Sequence, residues 1–100
     1  MTIVRPQSLH LGRLASASES GALELPASGG TLRVLHLADE RPDEPRACWY
    51  VCLAGRVIVD LPYANFAHLR SQEACRVEAG IPRTLTPIGA ATVLVIEVQP

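Results

Sequence analysis

With 100 residues, a formal net charge of −1 and an apolar fraction of 48%, the chain makes one domain, able to bury roughly two thirds of the surface of its unfolded form without a disulfide or structural metal. All nine basic residues are arginine, scattered from Arg5 to Arg83, which leaves no field to gather nucleic acid or anionic lipid. Aromatic residues make up only 4%, so the core falls to Leu, Val, Ile and Ala.

Residues 1–20 mix short apolar pieces with the small polar run Ala15-Ser16-Ala17-Ser18-Glu19-Ser20. Gly21 and Pro26 leave a helix little length there, and the reading is an arm with one or two short edge strands within residues 1–30. Ser28-Gly29-Gly30 is a turn, followed by a strand over 31–37 rich in branched residues. Residues 39–46 form a charged loop in which Pro42 and Pro45 oppose regular structure.

The central stretch, residues 48–60, is two apolar runs meeting at Ala54-Gly55. Trp49, Tyr50, Val51, Val57, Ile58 and Val59 suit a pleated surface, and Gly55 supplies the freedom of a tight reversal, so the pattern predicts a β-hairpin. A turn over 61–65, strands over 66–69 and 74–77, a turn over 79–82, a short strand over 84–86, a turn over 87–89 and a final strand over 91–98 complete the chain. Short strands at this spacing argue an all-β sandwich or barrel.

Cys48, Cys52 and Cys75 lack zinc or redox spacing, and Cys48 and Cys52, four residues apart on one strand, would stand about 13 Å from each other, too far for a bridge. Reduced thiols, the lack of an apolar leader and the absence of a run near the roughly 20 apolar residues of a membrane helix give the expectation of a soluble cytoplasmic protein without nucleic-acid or membrane partners.

Residues 32–98 resemble a small single-domain cupin, a double-stranded β-helix of the jelly-roll type, with 31–98 as barrel core. Trp49-Tyr50-Val51-Cys52-Leu53-Ala54-Gly55 is similar to the family's aromatic-Tyr-Val-Leu-x-Gly segment, and residues 69–85 to the later segment in which Gly-Asp opens a strand and Pro-x-Gly-x-x-His closes it. The departures fall on the chemistry. The family's metal-binding Glu aligns with Cys48, and its His-x-His pair with Arg41 and Asp43, or with Pro42 and Glu44. The opening Gly is Gln72, the Pro is Glu78, Gly80 is kept, and the closing His is Arg83. A permanent cation at Arg83 opposes a metal, so neither metal nor other cofactor is expected.

Strand alternation puts Cys48, Tyr50, Cys52 and Ala54 on one face and Trp49, Val51 and Leu53 on the other; the resemblance implies that the first face lines the barrel. His10, His36 and His68 fall off the motif positions and read as structural or surface residues. The candidate site is therefore Arg83, Cys48, Tyr50, Cys52, Asp43 and Glu44. Arg83 must meet a carboxylate, an anion or water: it either forms an internal ion pair with Asp43, Glu44 or Glu78, or anchors a small anionic ligand. Cys48 is a buried small hydrophobe, or a thiol whose pKa is lowered by Arg83.

Three functions follow as expectations. The first is a metal-free cupin that acts as a small-molecule binding or interaction module. The second is a thiol-dependent or acid-base enzyme using Cys48 with Asp43 or Glu44. The third is a structural homodimer. Pairing of two copies through the apolar Trp49, Val51 and Leu53 face is expected in any of them.

Overall fold

A computed structural model describes residues 7–98. Residues 1–6, where the N-terminal arm begins, and residues 99–100 lie outside the described residues. One helix and nine strands follow in chain order: α1 (Leu11–Ala17), β1 (Ala22–Glu24), β2 (Leu32–Leu37), β3 (Arg41–Asp43), β4 (Cys48–Ala54), β5 (Arg56–Asp60), β6 (Phe66–Arg70), β7 (Ala74–Val77), β8 (Arg83–Pro87) and β9 (Ala91–Glu97). They form two antiparallel sheets, β1-β2-β9-β4-β7 and β3-β8-β5-β6, an all-β architecture as the strand spacing predicts, and of the jelly-roll type that the cupin resemblance implies.

The core lies between the sheets. Alternate residues of β4 (Cys48, Tyr50, Cys52), β9 (Val93, Val95), β5 (Val57, Val59) and β8 (Leu85) are buried there together with Leu35 and Leu37 of β2. Because side chains alternate along a strand, this single set of inward positions gives each sheet one apolar inner face. Tyr50 is the one aromatic residue in that cluster.

The stretch over residues 48–60 is not a hairpin. β4 pairs with β7 and β9, whereas β5 pairs with β6 and β8, so the chain crosses from one sheet to the other at Gly55. The register of β4 on β9 slips between Cys52 and Ala54, and Cys52 Sγ donates to the Ala54 and Gly55 carbonyls across this corner. Gly55 has φ +75, and a Cβ there would meet Ala90 O at 2.2 Å. Two apolar runs joined by glycine are compatible with a reversal or a corner; the second wins because both strands need partners on each side.

Two further expectations change. The arm contains a helix, α1, where edge strands were predicted, and its capping residue is His10, whose Nδ1 accepts from Arg13 N at 3.1 Å. A seven-residue helix has little stability of its own; it forms because it lies against β2, where Ala15 and Val34 are fully buried. The edge strand β1 follows it. The charged loop also holds a short strand, β3, in which Pro42 is tolerated because β3 is an edge strand, pairing only with β8.

Among the described residues, no helix is long and apolar enough to cross a membrane.

Candidate functional site

The two sheets bring Asp43 of β3, Cys48 and Tyr50 of β4 and Arg83 of β8 to one end of the interior. Arg83 is only 4% exposed. Its Nε donates to Ile81 O at 3.0 Å, Nη2 to Glu78 O at 2.8 Å and Nη1 to Arg46 O at 2.6 Å. Nη1 also reaches Cys48 Sγ at 3.2 Å and Tyr50 Oη at 3.4 Å, and Cζ lies 5.9 Å from the centre of the Tyr50 ring. The guanidinium fork thus ties the β3–β4 connection, β4 and the β7–β8 connection together. A second tie, Gly80 N to Pro45 O at 2.8 Å, closes the same two connections.

One of the two readings of Arg83 places a carboxylate against it. Its direct partners are instead three backbone carbonyls, a thiol and a phenol, and the ion pair with Asp43, Glu44 or Glu78 does not form. Carbonyl oxygens at loop ends offer partial negative charge in fixed positions, which satisfies a planar five-donor cation without burying a second full charge. Asp43 is held on the other side of Tyr50: the Tyr50 hydroxyl donates to Asp43 Oδ2, and Arg33 Nη2 lies 3.4 Å from both carboxylate oxygens. The cluster is therefore a chain, Arg33 to Asp43 to Tyr50 to Arg83 to Cys48. Among the described residues, no buried side-chain nitrogen or oxygen lacks a partner.

Burial governs the titration of this cluster. Cys48 touches Arg83 as anticipated, yet its thiol is pushed up from the ordinary value, because burial outweighs the favourable bond to Tyr50 and the nearby positive charge. The lowered pKa considered for Cys48 is thus corrected to a raised one. Burial, reinforced by the bond to Asp43, also pushes the Tyr50 phenol well above the usual tyrosine range. Both groups stay protonated at neutral pH.

Two of the candidate residues stand elsewhere. Cys52 is buried at the Gly55 corner with its own thiol raised by burial. Glu44 is exposed and pairs with Arg46 at 2.6 Å, on a polar cleft of about 530 Å³ that also includes Glu24, Arg33 and Glu97. Arg33 and the three carbonyl groups were not legible as site members, Arg33 because it sits in an ordinary alternating strand ten residues before its partner.

A transition metal does not fit this arrangement. The position that the resemblance aligns with the family's closing His is held by Arg83, whose N–H groups donate to three carbonyls, Cys48 and Tyr50, and no group of three or more His, Cys, Asp or Glu side chains among the described residues could hold an ion. Such metals favour neutral imidazole, carboxylate or thiolate donors, and here the carboxylate of Asp43 is engaged by Tyr50 and Arg33 while Cys48 stays a protonated thiol.

Comparison with known proteins bears on the fold. No family model matches the chain, and no curated protein matches it. Solved structures do match. A cupin superfamily protein from Desulfitobacterium hafniense is similar with a TM-score of 0.68 at 20% identity, over 95% of this chain and 94% of that one. A Streptococcus pyogenes protein of unknown function gives 0.59 at 19% identity over 69% of this chain and 63% of that one. Drosophila melanogaster CENP-C, in a structure with CAL1, gives 0.61 at 11% identity over 72% of this chain and 64% of that one. This chain thus spans under two thirds of the last two. The protein has a small cupin fold.

Proposed function

We propose that this chain is a metal-free cupin module that works through its outer surfaces as an interaction partner, with its barrel interior closed by Arg83. One observation carries the reading: the guanidinium is buried and satisfied by the protein itself, through Ile81, Glu78 and Arg46 carbonyls, Cys48 and Tyr50. A small anion would have to displace bonds already made and be stripped of its own water to reach a buried side chain, which offsets the gain from charge-assisted bonds. Tyr50, Cys48 and Cys52 have 0%, 2% and 0% of their surface exposed, so a ligand in the interior would need the packing to open.

The thiol-dependent alternative is disfavoured by the raised Cys48 pKa, since the thiolate is the nucleophile. The acid-base alternative is disfavoured by Asp43, whose oxygens are engaged by Tyr50 and Arg33. The CENP-C likeness supplies a precedent in which a chain of this fold is seen with a protein partner.

The outer face of the five-stranded sheet supports pairing of two copies. Trp49, Val51 and Leu53 of β4 lie beside Leu94 and Ile96 of β9, and Trp49 and Leu53 are 40% and 37% exposed. Helix α1 covers the β2 side of that sheet and leaves this part open.

Elemental analysis of protein dialysed against a mild chelator, combined with a thermal-shift series in phosphate and dicarboxylates, tests the reading. Less than about a tenth of a metal per chain and no anion-dependent rise in Tm are expected. One bound metal per chain, or saturable stabilisation by a small anion, would overturn it.

A further inference from the structure

The chain has few aromatic residues, and the most exposed of them stands beside a groove. The β5–β6 connection is closed by Leu61 N to Asn65 O at 2.9 Å and Asn65 N to Pro62 O at 3.3 Å. Its tip holds two successive non-glycine residues in the left-handed region, Tyr63 (φ 62) and Ala64 (φ 58). Such backbone is rare away from glycine and asparagine. It projects Tyr63 so that 96% of its surface is exposed.

Opposite the tip runs the β7–β8 connection. Between them lies a groove of about 530 Å³ lined by Leu61, Pro62, Tyr63, Asn65, Gly80, Ile81 and Pro82, without a charged side chain. A second depression of about 250 Å³ shares Leu61, Pro62 and Pro82 with it and adds Asp60 and Thr84. Arg83 also borders this second depression, but its guanidinium is engaged inside. Asp60 is exposed and, among the described residues, its carboxylate accepts from Thr86 Oγ1 alone, at 2.9 Å.

Two neighbouring depressions that share Leu61, Pro62 and Pro82 suit an extended ligand better than a compact one. The uncharged stretch calls for apolar residues, and the carboxylate at one end calls for a cation. An aromatic ring beside prolines stacks on prolyl rings, and a left-handed polyproline segment enters such a groove with little ordering cost. Asn65 offers a side-chain amide to the carbonyls that such a segment leaves free.

We propose that this groove at the barrel mouth docks an extended, proline-rich segment of a partner protein, with an arginine or lysine of that segment against Asp60. This rests on the reading of the chain as an interaction module and names the surface and the partner chemistry for it.

The test is a ¹⁵N-labelled NMR titration of the full chain with a blocked eight-residue peptide of prolines and leucines ending in arginine. Shifts confined to Leu61, Tyr63, Asn65, Gly80, Ile81 and Thr84, with Kd tighter than about 1 mM, are expected. Tyr63→Ser should weaken binding by about tenfold or more at unchanged Tm, since the ring is exposed. Asp60→Asn should abolish the preference for the arginine peptide over its glutamine counterpart. Absence of shifts at several millimolar peptide, binding indifferent to Tyr63→Ser, or shifts on the Trp49 face would overturn the proposal. So would indole shifting the groove while the peptide does not, or groove signals that move with protein concentration alone. Failure here with the Arg83 side-chain signals unmoved by zinc or phosphate defeats the groove alone; movement of those signals defeats the closed-barrel reading.

Discussion

Arg83 and Asp43 are direct partners across β8 and β3, yet their opposite charges meet only through the hydroxyl of Tyr50, which accepts from Arg83 and donates to Asp43. A direct buried pair gains Coulomb energy but must strip both ions of water. Here each ion keeps its own set of dipoles, carbonyls for Arg83 and the Arg33 guanidinium with the phenol for Asp43. Tyr50 is the only hinge between them. Tyr50→Phe keeps the ring and removes that bridge, leaving Asp43 Oδ2 with only the long 3.4 Å contact from Arg33 Nη2. It should lower the unfolding free energy by about 1–3 kcal/mol, measured by urea denaturation, and a coincident loss in Arg83→Met should be less than additive because the two share a bond.

Gln72 occupies the position at which the cupin resemblance expects glycine, and it holds φ +74 while its N–H donates to Cys52 O at 2.7 Å. The backbone of that turn is thus kept although the residue type is not. Gln72→Gly relieves the left-handed strain, about 1–2 kcal/mol, against a glycine entropy cost of about 0.5–1 kcal/mol. A net gain near 0.5–1 kcal/mol in thermal or urea unfolding is expected, and Gln72→Val should lose stability.

Alkaline pH should unfold the protein earlier than acid chemistry would suggest. Cys48, Cys52, Cys75 and Tyr50 all have pKa values raised in the folded state, chiefly by burial. The unfolded chain releases these protons at the ordinary values of 9.0 and 10.0; the folded chain retains them. Above about pH 9 the unfolded state therefore binds fewer protons, and stability falls as pH rises, by up to ~1.4 kcal/mol per pH unit for each group. The full contribution is present below pH 8. Urea midpoints measured from pH 7 to 11 should decline from near pH 9, and Tyr50→Phe should flatten the portion above pH 10.

Pairing through the outer sheet face has a direct measurement. Light scattering at micromolar concentration should give twice the 10.7 kDa chain mass, and Leu53→Glu should halve it, because a charge brought into an apolar contact is left without water. A parent protein of monomer mass would contradict the proposed interface.

The sequence carried most of the strands, because period-two alternation and β-branched residues act locally. It misassigned the pairing at Gly55, since glycine permits both a reversal and a corner and the choice depends on the close approach of Ala90. Helix α1 was hidden because its stability comes from burial of Ala15 against β2, not from its own residues. Arg83, Cys48 and Asp43 are legible by motif position and Tyr50 by strand alternation, and the structure brings these four together. What Arg83 touches was not legible, because backbone carbonyls carry no residue type.

The central claim, that a self-satisfied guanidinium closes the barrel, is tested most directly by ¹⁵N NMR of the Arg83 side chain at pH 7. The Nε–H bonded to Ile81 O should give a resolved signal, assigned by its loss in Arg83→Lys, with slow solvent exchange and separate Nη resonances. It should be unmoved by zinc, manganese or phosphate at millimolar concentration. A rapidly exchanging, averaged guanidinium, or a signal that shifts saturably with an added metal or anion, would contradict the claim.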